Sequence, residues 1–249
     1  MEQIHLQIVE GLRDYFGKAG FTKAVVGLSG GIDSSLTLKL AVDALGSQNV
    51  TGLLMPDLGL TSRENIDHAH RLADHFGIET FKVPINGFLK NFGELPWAQV
   101  STEFELGHEI AEANTKARIR AVILYHFANT FEALVLGTSN YSETLLGYGT
   151  KYGDLAADVE VIGALYKTQV RELAQYLNIP PEIVNKKPSA ELWKGQTDES
   201  ELGADYEVLD QILMGQEDGF HPSLVKEVKE RIKKNKHKSE MPFVIQVDV

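Results

Sequence analysis

Residues Val25 to Ser35 read VVGLSGGIDSS, a strand-forming run that breaks into glycines and hydroxyls and passes directly into a helical pattern. Ala24, Val25 and Val26 are short, apolar and closed by Gly27, as expected of a parallel strand buried on both faces. Leu36, Leu40, Ala41, Ala44 and Leu45 then recur at helical spacing, so the loop joins a strand end to a helix start. Gly30 and Gly31 permit a tight turn and close approach of a ligand. The first N–H groups of the helix face an anion there, with the hydroxyls of Ser29, Ser34 and Ser35 as further donors. This is the pattern of a phosphate-binding loop. It lacks both the Gly-Lys-Ser/Thr ending of the nucleotide-hydrolase loop and the G-x-G-x-x-G of dinucleotide-binding folds. Asp33 at its mouth would repel an anion unless a divalent cation lay between them, which predicts magnesium carried on a polyphosphate. The plain alternative is a glycine turn in which Asp33 is an ordinary acid of the first helical turn.

Outward from this loop, strand and helix alternate. Ile4, Ile8, Leu12, Tyr15 and Phe16 mark an amphipathic opening helix that ends near Gly17 and Gly20. Val50 to Met55 is a second strand stopped by Pro56, and Thr61 with Glu64 suggests a capping box for a helix that closes at Gly77. Thr80 to Val83 is a third strand. Asn86 to Gly107 shows no clear period and reads as an irregular excursion with Trp97 and Phe104 in local packing. Ala113 to Phe127 predicts a long helix, and Ala133 to Leu136 a fourth strand ending in glycine and hydroxyls, GTSNYSE. Gly147 to Asp158, GYGTKYGDLAAD, is a functional loop by composition. Three further helices are predicted, over Thr168 to Leu177, Asp205 to Met214 and Pro222 to Lys234; the acidic stretch from Pro188 to Gly219 is either a closing lid or a solvated loop. The rhythm implies an α/β fold, a mostly parallel sheet covered by helices on both faces, with ligands beyond the carboxyl ends of its strands.

The totals narrow the chemistry. A chain of 249 residues with 43% hydrophobic and 24% charged residues suits one soluble domain, and no apolar run approaches the ~20 residues of a membrane span. No export signal is recognisable at the N-terminus, so the expectation is cytoplasmic. The absence of cysteine excludes disulfides, thiolate metal sites and cysteine nucleophiles. A net charge of −11 argues against a broad grip on nucleic acid.

SGGIDSS after a buried strand resembles the SGGxDS signature of the ATP pyrophosphatases, whose fold is of the adenine nucleotide alpha hydrolase, Rossmann-like kind. NTKARIRA at 114–121, LGTSNYSE at 136–143, TKYGDLAAD at 150–158 and then LYKTQV, KPSAELW and HKSEMP, in that order, resemble the ammonia-dependent NAD synthetase family over nearly the whole chain. Ile32 and Ser189 depart from the Gln and Thr of better-known members; neither removes a charge, so altered packing is expected. The resemblance implies ATP held by Gly27, Leu28, Ser29, Gly30, Gly31, Ile32, Asp33 and Ser34, with Met55, Thr138, Lys167 and Ser189. It implies magnesium on Asp33 and Glu143, and deamido-NAD on Arg118, Lys151, Asp158, His237 and Lys238.

The implied catalytic residues are Asp33, Glu143 and Lys167, with Asp154 binding ammonium and taking its proton. The implied reaction amidates deamido-NAD with ammonia while ATP yields AMP and pyrophosphate. A homodimer of single-domain chains without a glutaminase domain is expected. Two rivals stand beside this reading: another SGGxDS enzyme acting on a different acceptor such as tRNA, and an adenine-nucleotide sensor without turnover. Singly, Arg118, Arg120, Lys151 and Lys167 could be surface or capping charges.

Overall fold

The computed structural model describes residues 1–99, 105–189 and 196–247. The first helix, α1 (Glu2–Ala19), runs through Gly17 and ends at Gly20 in the left-handed conformation. Strand β1 (Lys23–Gly27) follows, then α2 (Ile32–Leu45), β2 (Val50–Leu54), α3 (Arg63–Phe76) and β3 (Glu79–Lys82). A short helix α4 (Asn86–Leu89) and two 3-10 segments precede the long α5 (Glu105–Phe131). Then come β4 (Ala133–Gly137), α6 (Tyr141–Leu146), β5 (Val159–Glu160), α7 (Lys167–Tyr176), α8 (Pro181–Val184), α9 (Asp198–Leu202), α10 (Tyr206–Leu213) and α11 (Pro222–Asn235).

The sheet is entirely parallel in the order β3-β2-β1-β4-β5. Strand alternation sorts its residues onto two faces. Val26, Leu54 and Leu136 pack with Leu36, Leu40, Leu72 and Leu173 on the face of α2, α3 and α7; Val25, Leu53 and Val135 pack with Ile119 and Ala128 of α5 on the other. Val25 and Val26 have no exposed surface. Burying such a side chain is worth about 1.5–3 kcal/mol. A third cluster joins Leu146, Leu202, Tyr206, Leu209 and Val228, so α6, α9, α10 and α11 close one end of the molecule. All strands run the same way, but after β1 the chain adds β2 and β3 on one side and then β4 and β5 on the other, and this switch in winding opens a crevice at the carboxyl ends of β1 and β4.

Several boundaries differ from the sequence reading. The cap of α3 is Ser62, whose hydroxyl accepts from Asn65 N, whereas Thr61 Oγ1 accepts from Asp57 N at 3.0 Å. Thr61 is held by the preceding turn, and the cap falls one residue later. Helix α5 begins before the expected Ala113 and continues to Phe131; residues 109–112 and 129–131 are exposed, so no buried face marks the period at these positions. Strand β5 is only two residues long and carries no readable pattern. Trp97 is 66% exposed rather than packed, and Phe104 lies outside the described residues. The described part of the acidic stretch is a docked pair of helices, not a solvated loop, since Tyr206, Leu209 and Asp210 are buried.

Candidate active site

The loop after β1 is shaped by internal bonds. Gly30 has φ +80°, and a Cβ there would lie 2.2 Å from the Asn65 carbonyl oxygen, so this glycine is needed for packing against α3. Gly31 takes the N-cap position of α2 in an extended conformation. Ser34 and Ser35 both donate to the Gly31 carbonyl, at 3.1 and 2.7 Å, and Ser29 Oγ accepts from Gly31 N at 3.2 Å. The hydroxyl of Ser35 is thus committed to the loop and not to a ligand. Ser29 and Ser34 retain faces on the crevice.

Asp33, in the first turn of α2, meets two residues from distant segments. Lys167 Nζ donates to Asp33 Oδ2 at 2.6 Å and to Glu143 Oε1 at 3.0 Å. Asn140 Nδ2 donates to Asp33 Oδ1 at 2.9 Å. Asn140 is also the N-cap of α6: its side chain accepts from Glu143 N, and Glu143 Oε2 accepts from Asn140 N, a capping box. Glu143 is therefore a helix-capping acid and a member of the charged cluster at once. Lys167 is 2% exposed and its pKa is raised. Burial opposes its charge, but the neighbouring Asp33 and Glu143 carboxylates outweigh that. Burial, countered by Lys167 and reinforced by Asp33 and Asp198, raises Glu143. Asp198 enters from α9, accepting from Tyr148 and Tyr206 hydroxyls at 3.1 Å each.

Two carboxylates thus pair with one ammonium, and a third, Asp198, adds its charge from beyond ion-pair distance. That excess of negative charge fits a divalent cation, and each carboxylate oxygen keeps a spare lone pair. Among the described residues no three His, Cys, Asp or Glu converge as a metal cage. Magnesium bound here through Asp33 and Glu143 would complete its oxygen shell from phosphate and water, its usual habit.

These groups border a cavity of about 580 Å³ between the strand ends and α5. Of the residues named from sequence, Gly27, Leu28, Ser29, Asp33, Ser34, Met55, Thr138, Glu143, Asp154, Ser189 and Lys238 line it. Lys167 stands behind the two carboxylates. Gly30 and Gly31 form the turn, and Ile32 is buried in the core at 6% exposure, a packing position. Asp154 Oδ1 accepts from Thr150 N at 2.9 Å, and its pKa is raised because protein mass surrounds it while its carboxylate stays open to the cavity. Lys238 donates to the carbonyls of Gly147 and Gly149 at 2.7 and 3.0 Å, and burial lowers its pKa.

Arg118, Lys151 and His237 adjoin one another outside the cavity wall. Arg118 Nε donates to Lys151 O, and Lys151 Nζ to His237 O. Asp158 stands apart: its carboxylate accepts from Val135 N at 2.8 Å and from Tyr125 OH at 3.3 Å, tying β4 to α5.

The family model described as NAD synthase matches residues 4–242. The chain belongs to the NAD synthase family. A curated relative, NH(3)-dependent NAD(+) synthetase of Methanocaldococcus jannaschii, is 45% identical over 253 residues, covering 97% of this chain and 96% of the relative. Among solved structures, NMN synthetase from Francisella tularensis superposes with TM-score 0.90 at 30% identity, covering 99% of this chain and 98% of that one. NH3-dependent NAD synthetase from Campylobacter jejuni superposes with TM-score 0.79 at 33% identity, covering 98% and 99%.

In this NAD synthase chain the structure also adds cavity residues that sequence reading missed. Ala113, Asn114, Ala117, Arg120, Ala121 and Leu124 line one side at helical spacing. Arg120, rather than Arg118, shares their face, and its Nε donates to Met55 O at 3.0 Å. The i, i+3, i+4, i+7 rule applied from Ala113 would have chosen it. The Asn140 bond to Asp33 and the Asp198 bond to Tyr148 carried no such local signal, because they span 107 and 50 residues.

Proposed function

We propose that this chain forms NAD by amidating deamido-NAD with ammonia, at the cost of ATP cleavage to AMP and pyrophosphate. The Lys167 bridge between Asp33 and Glu143, at the mouth of a glycine loop in a member of the family, is the observation that carries it. A carboxylate at neutral pH resists amide formation. Its oxygen first attacks the α-phosphorus of ATP, forming the P–O bond of a mixed anhydride as the bond to pyrophosphate breaks. Ammonia then adds to the acyl carbon and AMP departs. Two anions must approach in the first step. The loop N–H groups and Lys167, held beside the acids, lower that repulsion.

Magnesium on Asp33 and Glu143 would neutralise phosphate charge when bound. Asp154, open to the cavity and with a raised pKa, is suited to hold ammonium and accept its proton. The adenine would lie by Met55 and Gly27, and Thr138, Ser189 and the Ser29–Ser34 turn would take the sugar and phosphates. The cationic edge of Arg118, Lys151, His237 and Lys238 would receive the dinucleotide phosphates. Asp158, which braces β4, would act on that substrate only through the strand.

Deamido-NAD, ATP and ammonia are the substrates of this reading. A second acceptor merits direct comparison, because the Francisella structure with TM-score 0.90 is an NMN synthetase; nicotinate mononucleotide offers the same carboxylate. Purified protein is to be given ATP, magnesium and ammonium with deamido-NAD, nicotinate mononucleotide or tRNA in turn. AMP formed with NAD, and fastest with deamido-NAD, is the expected result. Faster turnover of the mononucleotide would reassign the acceptor, AMP with tRNA alone would favour the RNA-modifying rival, and ATP binding without AMP would favour a sensor.

In this reading the chain acts as one domain and as a homodimer. Exposed Phe81, Phe88, Val122 and Phe131 on β3, α4 and α5 supply an apolar face for a second copy.

A further inference from the structure

Helix α7 begins with Lys167, yet the residue at its cap, Tyr166, makes no side-chain cap. The orphan N–H groups of its first turn are instead met by residues from two other helices. Lys167 N donates to Ser142 Oγ at 3.0 Å, Thr168 N donates to Asp210 Oδ2 at 2.9 Å, and Ser142 Oγ donates to Asp210 Oδ1 at 2.5 Å. Asp210 is 1% exposed and Ser142 has no exposed surface. A carboxylate opposite a helix N-terminus is favoured by the helix dipole, and in a buried site its loss would leave donors unpaired.

The positions of these partners carry the point. Ser142 precedes Glu143 on α6, and Thr168 follows Lys167 on α7. One buried side chain therefore joins the two backbone starts from which Glu143 and Lys167 reach each other. The same helix, α10, places the Tyr206 ring 5.2 Å from Lys167 Nζ and sends the Tyr206 hydroxyl to Asp198.

We propose that Asp210, through Ser142 and the Thr168 N–H, is a positioning residue that sets Lys167 against Glu143 for adenylate formation, making α10 part of the catalytic apparatus. This deepens the functional reading above and rests on it. Asp210 touches no substrate in this scheme. Its effect should fall on the chemical step and not on ATP capture, because the loop after β1 is built without it.

The test compares Ser142→Ala and Asp210→Asn with wild type, measuring kcat, KM for ATP, and melting temperature, with kinetics taken well below melting. Both variants are expected to lose roughly 10- to 100-fold in kcat, the usual effect of removing an outer-shell partner, with KM for ATP changed less than about threefold. The double variant should be no slower than Asp210→Asn alone, since both changes break one network. Should Asp210→Asn fail to fold, Ser142→Ala alone decides. A kcat within about twofold of wild type in folded Ser142→Ala, losses that multiply in the double variant, or a loss carried in KM for ATP would overturn the proposal. An active wild type with unaffected variants sinks only this inference. A wild type forming no AMP with either nicotinate acceptor sinks it together with the functional reading.

Discussion

Gly30 carries two constraints at once, a φ of +80° and a would-be Cβ 2.2 Å from the Asn65 carbonyl. Gly30→Ala is expected to destabilise the chain by about 2 kcal/mol or more, from left-handed strain plus the clash, in urea denaturation. A loss below about 0.5 kcal/mol would mean that α3 can retreat from the loop. Glu160 makes a second residue-scale case. Its carboxylate lies over Gly137, where a Cβ would come 2.3 Å from Oε2, and the protein packed around that end desolvates it and pushes its pKa up to about 7 from 4.5 despite the Ser139 N–H, although the residue keeps an exposed surface that lets water screen the effect.

A raised carboxylate pKa means that the folded state holds the proton longer than the unfolded chain. Stability present below pH 4.5 is therefore lost as pH rises toward about 7. Glu160→Gln should melt like wild type at the acid end and above it at pH 8; equal melting temperatures at pH 8 would deny the shift. Asp33→Asn and Glu143→Gln should each lower kcat by roughly 100-fold or more while leaving the fold intact by circular dichroism. Turnover near wild type in either would remove that residue from the proposed magnesium site.

Among the elements, α5 tests the cavity most directly, because two arginines two positions apart fall on different faces. Arg120→Ala should raise KM for ATP by roughly tenfold or more, since it removes a charged donor from the wall. Arg118→Ala should change it by less than about threefold and act on the dinucleotide instead. Equal effects would contradict the assignment of faces. The same helix shows what was legible in sequence. Strands β1, β2 and β4 announced themselves as short apolar runs ending in glycine or proline, and the glycine loop, Asp33 and Glu143 follow from their ends, whereas Thr138 was marked only by the family resemblance. Arg120 was recoverable from periodicity already visible in the helix. The Asn140 bridge to Asp33, the Asp198 bond to Tyr148 and the Asp210 cap were not, because each joins residues far apart in the chain and no spacing encodes such a meeting. Strand β5 was missed for a different reason: a two-residue strand is defined by its neighbour, not by its own pattern.

At the scale of the whole molecule, a parallel sheet brings β1 and β4 together and leaves their carboxyl ends facing a third apolar cluster that supplies Asp198 and Asp210. Lys167, arriving late in the chain, then completes a cluster begun at Asp33. A molecule arranged in this way activates a carboxylate by joining it to AMP, and a label follows that route. Deamido-NAD carrying ¹⁸O in both carboxylate oxygens is incubated with ATP, magnesium, ammonium and enzyme, and the products are weighed by mass spectrometry. One labelled oxygen should appear in the phosphate of AMP, with the other in the amide of NAD and none in pyrophosphate. Label in pyrophosphate, or AMP without label, would contradict attack of the carboxylate on the α-phosphorus.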